Sequence, residues 1–210
     1  KVSLNPFGII YNPISIANNL KRLLAKEPFR QDELIYHQEK WISLSHHGQY
    51  ALKKPDEALL HINNDFRKGQ NDLDNANILI LTLGTGYIYE YGPERKIVAN
   101  CHKLPASAFQ KRLLTVAEIV EVLSTFFENF LARKPGRKII MSVSPVRHLR
   151  DGMIENQRSK ATLHLATAQL QQTFEQVYYF PAYELLMDDL RDYRFIILTS
   201  FTPLIWPSIT

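Results

Sequence analysis

A cluster of basic residues follows an apolar segment in the second half of the chain. The sequence KIIMSVSPVRHLRDG begins at Lys138 and places Arg147, His148 and Arg150 just after a Ser-Pro pair. A proline at this point restricts the path of the backbone as it leaves a strand. A histidine between two cations suits a neutral, hydrogen-bonding role. The segment predicts either the rim of an active site or a solvated basic loop, and the residues alone leave both open.

A second candidate is Gly84-Thr85-Gly86, directly after the apolar run Ile78–Leu83. A glycine after a buried strand lets backbone N–H groups approach an oxyanion or a phosphate closely. The alternative is a tight turn that requires a positive φ angle. Tyr89 stands where a dinucleotide-binding motif would have its third glycine. We therefore expect no nucleotide cofactor.

Two histidine-containing pairs are weaker candidates. Cys101 and His102 are adjacent, and adjacent residues of a strand point to opposite faces, so they should not form a nucleophile–base dyad. We expect Cys101 to be packed and His102 and Lys103 to make local hydrogen bonds. His46 and His47 are also adjacent, with no carboxylate cluster nearby. The sequence therefore predicts no metal site and no other cofactor.

The remaining polar segments have structural explanations. Asn156 or Ser159 is expected to cap a helix that begins there. The mixed charges from Asp188 to Arg194 are typical of a solvated surface. The chain contains no G-x-S-x-G elbow, no P-loop and no HExxH sequence. The sequence therefore lacks the common signatures of α/β-hydrolases, nucleotide triphosphatases and zinc proteases.

Apolar periodicity predicts how these residues are positioned. Helices are expected from Pro13 or Ser15 to Leu24, from Pro55 to Gly69, from Thr115 to Arg133 and over 158–175. Strands are expected over 2–4, 78–83, 139–143 and 177–180, with shorter ones in YIYEYG and KIVAN. The alternation of helices and strands with long crossovers predicts an α/β protein, a three-layer α/β/α sandwich with a mainly parallel sheet covered on both faces.

This architecture has a consequence for the candidate residues. In parallel sheets ligands bind just beyond the carboxyl ends of the strands. Gly8, the 84–86 loop and the 144–150 loop each follow a predicted strand. We expect all three to lie along one edge of the sheet, which would place His148 at the position of an active site.

Composition excludes several classes of protein. The net charge of the 210 residues is only +4, and no basic run reaches five residues, so nucleic-acid binding is not expected. No apolar stretch approaches the length of a membrane span. The single cysteine favours a reducing, cytoplasmic setting but is also compatible with export. The chain opens with Lys1 rather than Met, which predicts a piece of a longer protein. One domain is expected over 1–195.

Several segments together resemble a known family: NPFGIIYNPISI, Trp41 to His47, LTLGT, VANCHK, SVSPVRHLRDG, ENQRSKATL and YFPAYELLMDDLRDYRF. They resemble the GSCFA family, which is common in Bacteroidetes and is grouped with the SGNH-type hydrolases. The resemblance extends from Asn5 to Phe195. It implies a flavodoxin-like fold and an ester hydrolase or acyl transferase that uses a serine nucleophile and no metal.

The resemblance also implies which parts of the machinery this chain carries. The family's Gly-Ser-Cys-Phe-Ala motif would lie upstream of Lys1, and no Asp-x-x-His element follows Phe195. The chain by itself is therefore expected to be inactive. The family pattern makes Gly8, Gly84 and Thr85 candidates for the oxyanion site, although the Asn of the SGNH Gly-x-Asn-Asp block is absent.

The same resemblance places Arg147 and His148 on the pocket rim. An alternative function is a non-catalytic module that binds a carbohydrate or an acyl group, lined by Arg147, His148, Tyr87 and Trp41. A small acylated or glycan ligand fits either function, and the oligomeric state is left open. The sixteen residues after Arg194 carry no charged side chain. The tail over 196–210 thus differs from the mixed-charge sequence before it, as a shift of reading frame in the coding sequence would predict.

Overall fold

The computed structural model describes residues 2–148 and 152–190, together with two-residue strands at 196–197 and 202–203. Arg150, the charges at 191–194 and the rest of the predicted tail lie outside the described residues. The helices are α1 (Pro13–Ala25), α2 (Pro55–Asn75), α3 (Val116–Ala132), α4 (Met153–Thr173) and the short α5 (Ala182–Glu184), which continues into a π-helical turn, Leu185–Asp189. The strands are β1 (Ile35–His37), β2 (Lys40–Ile42), β3 (Ile78–Leu83), β4 (Tyr87–Tyr91), β5 (Lys96–Val98), β6 (Phe109–Leu113), β7 (Lys138–Val143), β8 (Val177–Tyr179), β9 (Ile196–Ile197) and β10 (Thr202–Pro203).

The central sheet is parallel, with the strand order β3-β7-β8. A second sheet, β5-β4-β6, is antiparallel, and β1 with β2 and β9 with β10 form antiparallel pairs. The predicted α/β class with a parallel sheet is confirmed. The hairpin β1–β2 and the strand β6 are additions to the predicted elements.

The two faces of the parallel sheet differ in burial. Leu81, Leu83 and Val143 point to one face and are buried in the core. Ile78 and Ile80 point to the other and are 53% and 66% exposed. The prediction that 78–83 is buried on both faces is therefore wrong for the described part of the chain, and a second covering layer stays a prediction.

Local sequence explains where the helices begin. The Asn12 side chain accepts a hydrogen bond from Ser15 N (2.8 Å), which caps α1, and Pro13 occupies the first helical position. Thr115 and Glu118 form a reciprocal capping box at the start of α3. Both devices satisfy N–H groups that a helix terminus leaves without partners.

Two predicted helix boundaries are wrong: the helix predicted over 158–175 begins earlier, at Met153, and the helix from Pro55 ends later than predicted. The helix from Pro55 does not stop at Gly69 but continues to Asn75. Gly69 is buried where α2 passes Pro6, and a Cβ there would lie 2.7 Å from the proline Cβ. This glycine therefore permits close packing and does not end the helix.

The predicted strand over 2–4 is also wrong. The backbone there is not in a strand, and Val2 and Leu4 are strongly exposed. Gly8 consequently does not follow a strand. Three alternating residues carry little information about pairing, because a strand also needs a neighbour with free backbone groups.

Candidate functional site

The candidate site lies at the carboxyl edge of the parallel sheet, where β3 and β7 end side by side. Ser144 N donates to Leu83 O (2.9 Å), so the loop 84–86 and the loop 144–148 leave the sheet from adjacent positions. Their common origin follows from the parallel pairing of the two strands.

The segment before α1 reaches the same edge through Tyr11. Its carbonyl oxygen accepts hydrogen bonds from Gly84 N (2.8 Å) and Thr85 N (3.2 Å). Its ring packs edge-on against His148, with the ring centroids 5.8 Å apart. Tyr11, Gly84, Thr85 and His148 therefore form one continuous group.

Gly8 has a different environment. Its N–H donates to Asn5 O (2.8 Å), and its φ angle is +73°. A Cβ at this position would lie 2.3 Å from the Cβ of His47. The contacts of Gly8 are thus with the loop at 46–49, and a turn with a close approach accounts for the glycine.

Helix α4 supplies the polar floor of the site. Asn156 Oδ1 accepts from His148 N (2.9 Å), and Ser159 Oγ accepts from Gly86 N (2.8 Å). The prediction that one of them caps the helix is wrong, because α4 begins at Met153 and both lie in its interior. Residues three and four apart share a helix face, so Asn156, Ser159 and Lys160 point together at the strand ends.

Lys160 joins the two strand ends directly. Its side chain is fully buried, and Nζ donates to Gly84 O and to Ser144 O, both at 2.6 Å. Burial lowers the pKa of the Lys160 ammonium to about 8. Sequence reasoning missed this residue. The available signal was the spacing of Asn156, Ser159, Lys160 and Leu163 along one helical face.

The loop 84–86 has already used its backbone donors. The N–H groups of Gly84 and Thr85 donate to Tyr11 O, and that of Gly86 donates to Ser159 Oγ. In this structure none of the three is available to an oxyanion. An oxyanion role for the backbone of Gly84 or Thr85 therefore stays a prediction that requires Tyr11 to move.

The rim residues are spread more widely than expected. The guanidinium of Arg147 contacts the Met187 sulfur (3.2 Å), and the Tyr87 hydroxyl donates to Glu155 at the start of α4. Trp41 lies on β2, where it pairs with Leu52 and its ring packs against Tyr36. No described contact joins Trp41 to the carboxyl edge.

A serine–histidine pair lies elsewhere, inside the protein. Ser43 Oγ is 2.7 Å from His46 Nδ1, but the two residues are only 3% and 0% exposed, so a substrate cannot reach them. Burial is the main cause that lowers the pKa of His46 to about 3, so its imidazole is neutral. The pair is structural.

His102 belongs to this cluster. Its Nε2–H donates to the carbonyl oxygens of Ser43 (2.8 Å) and His46 (3.1 Å), in addition to the predicted local bond, which His102 N donates to Asn100 Oδ1 (2.8 Å). Burial lowers the pKa of His102 and raises the pKa of the neighbouring Cys101 thiol. Among the residues that the structure describes, no group of three or more His, Cys, Asp or Glu side chains is arranged to hold a metal ion.

Within the described part of the chain, no helix has the length and apolar character needed to cross a membrane.

Comparisons with known proteins give one match. No curated protein and no solved structure is significantly similar to this sequence. The family model of the GSCFA family matches residues 1–197, which is nearly the whole chain. The chain therefore belongs to the GSCFA family.

Proposed function

We propose that the chain is the scaffold of a serine-dependent ester hydrolase or acyl transferase. In such a reaction a serine hydroxyl attacks an acyl carbonyl, a histidine accepts its proton, and hydrogen-bond donors stabilise the oxyanion. By the resemblance stated above, the serine would lie upstream of Lys1, and the Asp-x-x-His element that supplies the base would follow Phe195, where this chain has none. The 210 residues alone are then inactive.

The convergence at the carboxyl edge is the observation that supports this proposal most. Tyr11, the loop 84–86 and the loop 144–148 meet there: Tyr11 accepts hydrogen bonds from the loop 84–86, and both loops donate to side chains on one face of α4. This is the edge at which parallel sheets bind ligands. A rigid support of this kind is what a catalytic loop needs to hold its donors in place.

We also propose the finer architecture, a flavodoxin-like three-layer sandwich of the SGNH type. Parallel sheets are almost always covered on both faces. The open face with Ile78, Ile80 and Tyr178 is therefore where a second layer belongs. Residues outside the described part of the chain would supply that layer.

The function is tested with a longer protein that contains the upstream serine. Labelling of that serine by a fluorophosphonate, lost when it is changed to alanine, is the expected result. Ser144→Ala is the matched control: this serine lies at the same edge, and its Oγ accepts a hydrogen bond from Val146 N (3.3 Å), so labelling should persist. Absence of both labelling and short-chain aryl-ester hydrolysis by the longer protein would refute the proposal.

The chain itself provides a second test. Residues 1–210 should hydrolyse a short-chain aryl ester no faster than a heat-denatured sample does. Faster hydrolysis would show that the reactive groups lie within the chain, and substitution of the candidates at the carboxyl edge would then locate them.

The alternative proposal is a non-catalytic module that binds a carbohydrate or an acyl group. One observation favours it: the N–H groups of Gly84, Thr85 and Gly86 are all satisfied internally, so the loop presents no ready oxyanion hole. A longer protein that resists the fluorophosphonate but retains saturable binding of such a ligand would support this second function.

A further inference from the structure

Arg147 is a half-buried cation with a weak partner. Its described hydrogen bond is to the thioether sulfur of Met187 (3.2 Å), and thioethers are weak acceptors. None of the carboxylates that the structure describes forms an ion pair with it. Guanidinium groups offer five N–H donors in a planar fork that matches a carboxylate or a phosphate. Most of these donors remain for a ligand at the strand ends.

Lys160 is a second cation at the same edge. Its ammonium bonds to the Gly84 and Ser144 carbonyl oxygens, and no described carboxylate is paired with it. Its pKa is lowered by burial, with no acid raising it. A buried charge without a counter-charge is costly, so an anion nearby would stabilise this arrangement.

Other arginines of the protein, unlike Arg147 and Lys160, form ion pairs with described carboxylates. Arg22 is paired with Glu33, and Arg112 with both Glu90 and Glu118. Near the site, Glu155 already bonds to the Tyr87 hydroxyl and to Arg158. Glu184 accepts from Tyr179. Glu155 and Glu184, two acids near the carboxyl edge, are thus engaged with groups other than Arg147 and Lys160.

The backbone adds to the positive electrostatic potential at this edge of the sheet. Helix α4 runs for 21 residues and begins just after the 144–148 loop, at Gly152 and Met153, without a side-chain cap. The N-terminus of a helix carries partial positive charge and favours a nearby anion. This contribution is secondary to that of the two cationic side chains.

We propose that the carboxyl edge binds an anionic group, a carboxylate or a phosphate, through the Arg147 guanidinium, with the buried Lys160 charge strengthening the attraction. The ligand or substrate of this protein then carries an acidic group beside its acyl or sugar part. The inference goes beyond the proposed function and does not depend on catalysis.

Calorimetric titration of the 210-residue chain with inorganic phosphate, and separately with acetate, tests the site at constant ionic strength. Saturable binding of at least one anion is expected. Arg147→Gln should weaken it about tenfold or more, the effect of losing a charge-assisted hydrogen bond. Arg158→Gln is the matched control, because Arg158 is an exposed arginine of α4 already paired with Glu155, and its change should leave the affinity unaltered.

The two anions distinguish a phosphate site from a carboxylate site, and tighter binding of either identifies the class. Lys160→Met should weaken binding as well, but the Arg147→Gln variant, at a half-buried residue, keeps the test decisive if Lys160→Met fails to fold. No saturable binding of either anion, or equal affinity in the wild type and Arg147→Gln, would overturn the inference. A negative fluorophosphonate result would not affect it, since anion binding needs no reactive serine.

Discussion

Acid should destabilise this protein through His46. The imidazole is buried among the rings of Phe7, Phe29 and Tyr50, with centroids 5.4, 4.5 and 5.0 Å away. Burial lowers its pKa from 6.5 to about 3, with smaller contributions from Arg22 and other neighbours. The unfolded chain therefore binds a proton at a higher pH than the folded protein does.

The sign and size of the effect follow from this difference. Because the folded pKa is lowered, the stabilisation is fully present above pH 6.5 and is lost as the pH falls towards 3. Between pH 7 and pH 5 the contribution of His46 to the free energy of unfolding should fall by about 2 kcal/mol. The complete loss, reached only below pH 3, would be about 5 kcal/mol.

Urea denaturation at several pH values between 7 and 5 measures the effect. The wild type is compared with a double variant, Ser43→Ala with His46→Phe, which replaces both partners of the 2.7 Å hydrogen bond by apolar groups. The double variant should lose about 2 kcal/mol less than the wild type over this range. Ser43→Ala alone is the control, because it removes the hydrogen-bond partner but keeps the imidazole, so it should leave the wild-type slope.

Comparison of slopes removes the contribution of other groups. The pKa of His102 and that of His164 are also lowered by burial. These two histidines therefore contribute to the pH dependence of stability in the wild type and in both variants alike. Parallel stability curves for the wild type and the double variant would refute the reasoning. They would mean that His46 becomes protonated in the folded protein without cost.

Three further substitutions test packing. Arg137→Met should lower the free energy of unfolding, measured in urea, by about 3 kcal/mol, because the buried guanidinium donates to four backbone carbonyls near the ends of α2 and α3. The control is Arg95→Met, at an exposed arginine, which should cost about 0.5 kcal/mol or less. Gly69→Ala should lower the melting temperature, since its Cβ would meet Pro6 and the overpacking, about 1–3 kcal/mol, exceeds the gain in helix propensity. Ile80→Lys should change the stability of this chain by about 0.5 kcal/mol or less, but should cost about 2 kcal/mol or more in a longer protein whose second layer covers the sheet.

These predictions have clear contrary results. Equal costs for the two arginine variants would mean that the carbonyls find other partners. Gly48→Ala, where no atom lies within 4 Å of the new Cβ, is the control for Gly69, and equal melting temperatures for the two would contradict the packing argument. A large loss for Ile80→Lys in the 210-residue chain would mean that the open face is already covered.

Much of the fold could be predicted because its signals are local. The strand Ile78–Leu83 is predicted to the residue, and α3 to within one residue at each end. A continuous apolar run and a regular apolar stripe need no information about distant residues. Parallel pairing of β3 and β7 requires a long crossover connection, and the predicted segment between them is long and contains a helix, α3. That pairing in turn predicts the meeting of the 84–86 and 144–148 loops.

The candidate site was predicted less completely, because polar residues give ambiguous signals. Helix α4 buries Asn156, Ser159 and Lys160, which in isolation resemble a solvated surface. Tyr11 contributes chiefly its carbonyl oxygen, a group that every residue has. Gly8 was predicted from a strand that does not form, and its neighbours are at 46–49.

The sequence by itself determined the class of fold, the main helices and strands, and the edge at which the basic loop and the glycine loop leave the sheet. Periodicity, capping residues and breakers act within a few residues, so they can be read without coordinates. Only the tertiary structure decided that Lys160 joins two strand ends, that His46 is buried among aromatic rings, and that the described residues leave one face of the sheet uncovered. Each of these depends on which distant groups come together and on how much water they exclude, and no single segment carries that information.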